Sequence, residues 1–234
     1  MLTSSKYPLM SSRKWVEPET MSYHPRVSSN PARITHVFFD IGGVLGTNGW
    51  DRGERAGVCA EFGLDEGFET RHEAVIGEWE TGRMTMDEYL DRTVFCVARP
   101  FRREDFVRRM KDQSRPFPDT LDLVRRLAGA SPARRMALNN EPAELNLHRI
   151  ERFGLAPLLE AFLSSCWLGD RKPDRRMYEK ALAIAQAQPG RTLLIDDRKE
   201  NLVPARELGF DAVHFTGAPA LESELARRGL LEGG

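Results

Sequence analysis

Ile34-Thr-His-Val-Phe-Phe-Asp-Ile-Gly-Gly-Val-Leu45 is the stretch on which the reading of this 234-residue chain turns. Residues 34–39 form a β-branched and aromatic run, short enough for a buried strand, and the run stops on Asp40-Ile-Gly-Gly43. Four runs of similar texture follow. Arg135-Met-Ala-Leu138 stops at Asn139-Asn140, after which Pro142 and Glu144 suit the first turn of a helix. Ala161-Phe-Leu-Ser164 leads to Gly169 and Lys172-Pro173, and Thr192-Leu-Leu-Ile195 ends on Asp196-Asp197. Asp211-Ala-Val-His-Phe215 follows Gly209, a candidate helix C-cap. Helical patterns fill 120–128, 143–153, 175–187 and 201–208; in the third, Met177, Ala181, Ile184 and Ala185 recur near the 3.6-residue period. Strands alternating with such helices predict an α/β fold, a Rossmann-like parallel sheet with helices on both faces.

Between the first two runs the alternation breaks. Helical candidates at 52–62, 67–81, 86–97 and 103–114 follow one another without a comparable strand, and Thr85-x-x-Glu88 reads as a capping box opening the third. Residues 50–115 are therefore expected to be a small all-helical cap, set into a core made of 34–49 and 116–234. Pro116-Phe-Pro118 marks the return to that core. Residues 1–33 are Ser-rich, carry Pro8, Pro18, Pro25 and Pro31, and show no apolar period. They read as a flexible N-terminal arm, or as an extension ahead of a start at Met10 or Met21, without the apolar region of a secretory signal.

Lys and Arg number 34 against 35 Asp and Glu, for a net charge of -1, which argues against a non-specific nucleic-acid binder or a polybasic membrane-surface protein. No stretch approaches the roughly 20 apolar residues of a spanning helix. Cys59, Cys96 and Cys166 are odd in number, far apart and without C-x-x-C spacing. They predict reduced thiols, no cysteine zinc site and a cytoplasmic protein.

In an open parallel sheet the loops at the carboxyl ends of the strands form the ligand crevice. Asp40, Asn139 with Asn140, Lys172 after a short loop, and Asp196 with Asp197 end successive strands and should face one another there. Singly, each has a plain explanation as a turn former or a helix cap. Their joint occurrence, in order, points to a site. Three carboxylates in one crevice resist joint ionisation unless a cation sits among them, and an oxygen-lined site suits Mg²⁺. Lys172 and the positive end of the helix beginning near Pro142 favour a phosphorylated ligand.

These residues carry a resemblance to the haloacid dehalogenase-like hydrolase superfamily, in the subfamily with a helical cap between its first and second motifs. It runs from about Ile34 to Phe215. Val37-Phe-Phe-Asp-Ile-Gly-Gly-Val-Leu45 resembles the first motif, Leu138-Asn-Asn-Glu141 occupies the second, Gly169-Asp-Arg-Lys-Pro173 resembles the third, and Leu194-Ile-Asp-Asp-Arg-Lys-Glu-Asn201 the fourth. Trp79-x-x-Gly82 with Glu88-Tyr89 resembles the subfamily's cap. The resemblance implies a Mg²⁺-dependent phosphatase of a small phosphomonoester, with Asp40 as nucleophile forming an aspartyl-phosphate. It implies Mg²⁺ on Asp40, the Gly42 carbonyl and Asp197. Lys172 and Asn139 then assist catalysis, Asn139, Asn140 and Lys172 bind substrate, and Asp196 and Asn201 orient the metal ligand.

Two departures stand out. The family's phosphatases usually carry a second Asp two residues after the nucleophile, as general acid, and here that residue is Gly42. General acid catalysis contributes about 10²–10⁴-fold, so a slow phosphatase is expected. Asn139 stands where Ser or Thr is usual, and its amide can still reach a phosphate. A metal-independent 2-haloacid dehalogenase fits the missing second Asp but not the Asp196-Asp197 pair. A non-catalytic scaffold binding a phospholigand or a partner protein fits both departures.

Overall fold

β1, His36–Phe39, is buried along its whole length, and its period-2 alternation sends Val37 and Phe39 to one face and Phe38 to the other. The computed structural model describes residues 33–232, so the predicted arm lies outside the described residues except for Arg33. After β1 come four helices: α1 (Arg52–Glu61), α2 (Phe68–Glu80), α3 (Met86–Thr93) and α4 (Arg103–Lys111). The chain continues through α5 (Pro118–Ala130), β2 (Arg134–Asn139), α6 (Ala143–Arg152), β3 (Ala161–Ser164) and the short α7 (Ser165–Leu168). It ends with α8 (Arg175–Ala185), β4 (Thr192–Asp196), α9 (Lys199–Glu207), β5 (Asp211–His214) and α10 (Ala218–Arg227).

The five strands form one parallel sheet in the order β3-β2-β1-β4-β5. The carboxyl ends of β2, β1 and β4 are therefore neighbours, with β1 in the middle. Phe39 pairs with Ile195, and the Asp40 N–H donates to the Ile195 carbonyl at 2.9 Å. That register sets Asp40 level with Asp196, the last residue of β4. Leu121, Val124 and Leu127 of α5 and Leu221 and Leu225 of α10 cover the Val37–Phe39 face. Met177, Tyr178 and Ala181 of α8 and Leu202 and Ala205 of α9 cover the Phe38 face. Both faces thus bury apolar side chains, as an all-parallel sheet requires.

One predicted core position is corrected. Ile184 is 58% exposed, whereas Met177, Ala181 and Ala185 are buried together with Tyr178 and Leu182. At about 100° per residue the buried arc runs from Met177 to Leu182 and is centred near Ala185, and Ile184 falls just outside its edge at Met177.

Helices α1–α4 gather about a third apolar cluster that includes Trp50, Phe68, Trp79, Tyr89 and Phe106. The capping box is present at α3: the Glu88 N–H donates to the Thr85 hydroxyl at 3.2 Å, and the Thr85 N–H donates to the Glu88 carboxylate at 2.8 Å. Leu145 of α6 joins this cluster, and Glu144 accepts from the Met86 N–H at 2.8 Å, so α6 is tied to the start of α3. Gly82 lets the chain after α2 approach α7: its φ is 71°, and a Cβ there would lie 2.1 Å from the Cys166 carbonyl oxygen. The three cysteines are free, and among the described residues no helix is long and apolar enough to cross a membrane.

Candidate active site

Asp40, Asp196 and Asp197 meet where the ends of β1 and β4 adjoin, each offering an oxygen within 4.8 Å of the others. Lys172 is buried among them, its Nζ 2.6 Å from Asp196 Oδ2 and 2.9 Å from Asp40 Oδ2. Burial opposes its charge, but Asp196 and Asp40 together outweigh burial and hold the ammonium above its ordinary pKa. Burial also pushes the Asp40 carboxyl up to about 7: Lys172 pulls it down, while Asp196 and Asp197 add to the rise. The Asp40 Oδ1 accepts from the Ile41 N–H at 2.8 Å, which fixes the carboxylate at the strand end.

The two carboxylates after β4 differ in kind. Asp196 is fully satisfied: Lys172 donates to Oδ2, the Arg198 N–H to Oδ1 at 2.9 Å, and the Asn201 amide to both oxygens at 3.0 and 3.1 Å. Asp197 has an enclosed Oδ1 with no hydrogen-bond partner among the described residues. Burial and then Asp196 raise its pKa, against Arg198 and a hydrogen bond from Asn48. Gly43, at φ 70°, makes room for it, since a Cβ there would lie 2.0 Å from Asp197 Oδ2.

The asparagines after β2 diverge. Asn139 is buried and makes hydrogen bonds away from the carboxylates, donating to Asn146 at 3.0 Å and accepting from the Ser164 hydroxyl at 2.8 Å. Asn140 clasps the Lys172 backbone, donating to its carbonyl at 2.7 Å and accepting from its N–H at 2.8 Å. Successive residues point to opposite sides of an extended chain, so only one of the two faces the crevice. Asp40, Gly42, Asn140, Lys172 and Asn201 line a cavity of about 350 Å³, and Asn139 does not. Asn140, Glu141 and Pro142 place the amino end of α6 on the same wall.

Asn48 and Glu141 on this wall, and Arg149 behind it, have no role in the sequence reading. Asn48 sits where a side chain on residue 42 would go, its Oδ1 2.9 Å from a Cβ built there. Arg149, buried in α6, pairs with Glu141 at 2.7 Å and donates to the Thr47 carbonyl and to Ser114. Burial pushes Glu141 up to about 7, against the pull of Arg149. A buried Arg on a helix leaves no mark in a hydropathy pattern, so this pair was not legible. Trp50 and Trp79 both pack in the cap cluster and line the cavity.

The Glu141 carboxyl makes a prediction about stability. Its folded pKa lies above the ordinary value, so the folded state binds more protons than the unfolded one between about pH 4.5 and 7. Stability is expected to fall as pH rises through that window, and Glu141→Gln should flatten the fall by a few kcal/mol. Denaturant titrations of the metal-free protein from pH 4 to 8 measure this, and parallel curves for the two proteins would refute it.

A family model described as haloacid dehalogenase-like hydrolase matches residues 34–209, well over half of the chain. The chain belongs to the haloacid dehalogenase-like hydrolases. Flavin mononucleotide hydrolase 1 of Arabidopsis thaliana is 29% identical to it over 175 residues, covering 74% of this chain and 70% of that protein. Among solved structures, a haloacid dehalogenase-like hydrolase from Porphyromonas gingivalis matches with a TM-score of 0.67 and 20% identity, covering 83% of this chain and 98% of its own. A Bacteroides thetaiotaomicron enzyme of the family, in complex with magnesium and inorganic phosphate, matches with a TM-score of 0.66 and 19% identity, over 77% of this chain and 93% of its own. These haloacid dehalogenase-like structures share the sheet and helical layers of the present fold.

Proposed function

We propose that the protein is a magnesium-dependent phosphatase of small phosphomonoesters, in which Asp40 carries the phosphoryl group between two steps. The observation that carries this reading is Asp40 held on a buried Lys172 beside Asp197, whose enclosed Oδ1 has no hydrogen-bond partner among the described residues. The donor set fits the metal: three carboxylates within reach of one another, only oxygen ligands, and a glycine cradle against Asp197. Asp40, the Gly42 carbonyl and Asp197 would hold it. When bound, magnesium supplies positive charge between an anionic phosphate and an anionic nucleophile. The Arabidopsis relative named for flavin mononucleotide hydrolysis supports phosphomonoester chemistry.

The chain's own residues do the rest. An Asp40 oxygen attacks phosphorus, the bond from phosphorus to the leaving oxygen breaks, and that oxygen takes a proton from solvent. Water then attacks the phosphorus of the acyl phosphate, freeing inorganic phosphate and the Asp40 carboxylate. Two moderate barriers replace one high one. Lys172 balances the charge on Asp40, Asp196 holds Lys172 and is itself held by the Asn201 amide, and Asn140 fixes the loop that bears the lysine. The amino end of α6 faces the phosphoryl group. Asn139 acts through Asn146 and Ser164, as a brace for the β2 and β3 ends rather than a phosphate donor.

An assay for phosphate release from an aryl phosphate tests this. Release should require Mg²⁺ and stop on chelation. Halide release from a 2-haloacid without metal would favour the dehalogenase instead, and binding of phosphate esters without turnover would favour the scaffold. An enclosed Asp197 oxygen that none of the described residues partners has no use in a metal-free dehalogenase.

Gly42 leads to a second expectation. With no acid at residue 42 the leaving oxygen departs without a proton from the chain, so aryl phosphates should turn over about 10²–10⁴-fold faster than alkyl phosphates. Gly42→Asp combined with Asn48→Gly, which clears the 2.9 Å contact, should narrow that gap by at least about tenfold. Equal rates for aryl and alkyl esters in the natural protein would show that another group supplies the proton.

A further inference from the structure

The cavity wall beyond Lys172 has a chemistry of its own. Each cation on it is matched: Arg55 by Glu69 at 2.9 and 2.6 Å, Arg171 by Glu80 at 2.6 Å, and Arg198 by Asp51 at 2.7 Å. Glu73 and Glu200, on the same wall, form no ion pair among the described residues. A second anion on a ligand would meet this neutral-to-negative surface with no clamp and with like charges nearby.

The cap contributes a fixed hydrogen-bond donor. Tyr89 is fully buried and stacked on Trp79, with ring centroids 3.9 Å apart and 12° between the planes. Its hydroxyl accepts from Trp50 Nε1 at 2.9 Å and lies 2.8 Å from His72 Nδ1. A buried hydroxyl needs an acceptor for its proton, and His72 Nδ1 at that distance is in place to be it. The neutral imidazole then carries its proton on Nε2. Burial, with Arg55 beside it, keeps the ring neutral, its pKa pushed down to about 4. Nε2 has no hydrogen-bond partner among the described residues and is not enclosed, and His72 lines the cavity. Trp50, Ile76 and Trp79 line the cavity with it, giving that donor flat apolar surroundings.

We infer that this wall selects phosphomonoesters whose leaving group is uncharged and flat and carries a hydrogen-bond acceptor for His72 Nε2–H, and that it rejects those with a second anionic group. The inference rests on the phosphatase reading for its substrate and on the wall alone for its selectivity. A cavity of about 350 Å³ suits a leaving group of one or two rings beside the phosphoryl group.

The probes are benzylphosphonates bearing hydrogen, acetyl or carboxylate at the meta or para position, which bind without being hydrolysed, and the matching benzyl phosphates for turnover. Binding with Mg²⁺ present is followed by tryptophan emission, since Trp50 and Trp79 line the cavity. The acetyl compound should bind at least about tenfold more tightly than the carboxylate, with kcat/KM in the same order. His72→Leu should cut the preference for acetyl over hydrogen by about 3- to 10-fold. His72→Gln, which keeps an amide donor near the place of Nε2, should restore most of it. A carboxylate that binds as well as acetyl, or a preference that both variants leave intact, overturns the inference. The expected binding order with no hydrolysis of any benzyl or aryl phosphate upholds the wall's selectivity and overturns the phosphatase reading instead.

Discussion

Asp40→Asn should abolish phosphate release, by at least about 10⁴-fold in kcat, while leaving the protein folded. The amide is nearly isosteric and its oxygen can still accept from the Ile41 N–H, but it has no charge with which to attack phosphorus. Its effect on stability separates chemistry from damage. Burial pushes the Asp40 carboxyl up to about 7, so the ionised group destabilises the metal-free fold above that pH. The variant should therefore melt at the same temperature as the natural protein or higher at pH 8, and its stability should gain nothing from Mg²⁺ that depends on Asp40. Residual turnover within tenfold of the natural protein would remove Asp40 from the nucleophile's place. A loss of activity accompanied by a lower melting temperature would instead mark damage to the fold.

Lys172→Met should be costly in both respects. Among the described residues Lys172 is the single cation bridging Asp40 and Asp196, at 2.9 and 2.6 Å, and Asp196 has no exposure to solvent. Removing one member of a buried ion cluster leaves its partners uncompensated, which costs about 3–5 kcal/mol. Turnover should fall about 10³-fold, since the charge opposing the phosphoryl oxygens and aligning Asp40 is gone. The sign of the pH dependence follows from the same geometry. Without the ammonium the Asp40 carboxyl is driven further up, so at pH 5 it is protonated in both proteins and its part of the loss is small. At pH 8 the natural protein ionises it beside the ammonium, whereas the variant must hold it protonated or ionise it unpaired, and the loss is near its full size. Urea titrations at the two pH values measure the difference, and a destabilisation equal at both would show that the missing packing of the lysine stem, not its charge, is responsible.

The legible part of the site was the part written along the strands. Each apolar run ends where its polar residue begins, so Asp40, Asp196 with Asp197, and the Asn139-Asn140 pair could be placed at strand ends from residue type alone. A parallel sheet then brings those ends to one edge. The same logic led to the four helices between β1 and β2, because those segments read as helical and offer no strand. Ile184 marks where the period misleads: the pattern identifies a helix more surely than it identifies the edge of the buried arc.

What the chain could not say by itself concerns choices between adjacent residues and meetings between distant ones. Whether Asn139 or Asn140 faces the crevice is set by where β2 stops in register with β3, and Asn139 turned to Ser164 and Asn146. The pairing of Arg149 with Glu141 depends on how α6 packs, and so does the approach of Asn48 and Arg149 to the space over Gly42. The orientation of His72 is fixed by Tyr89, seventeen residues on, and by Trp50, thirty-nine residues from Tyr89 on the other side. Local sequence determines which residues end an element, since that is a matter of backbone preference and period. Only the packed fold decides which of a residue's possible partners are within 3 Å, because that depends on how separate elements settle against one another.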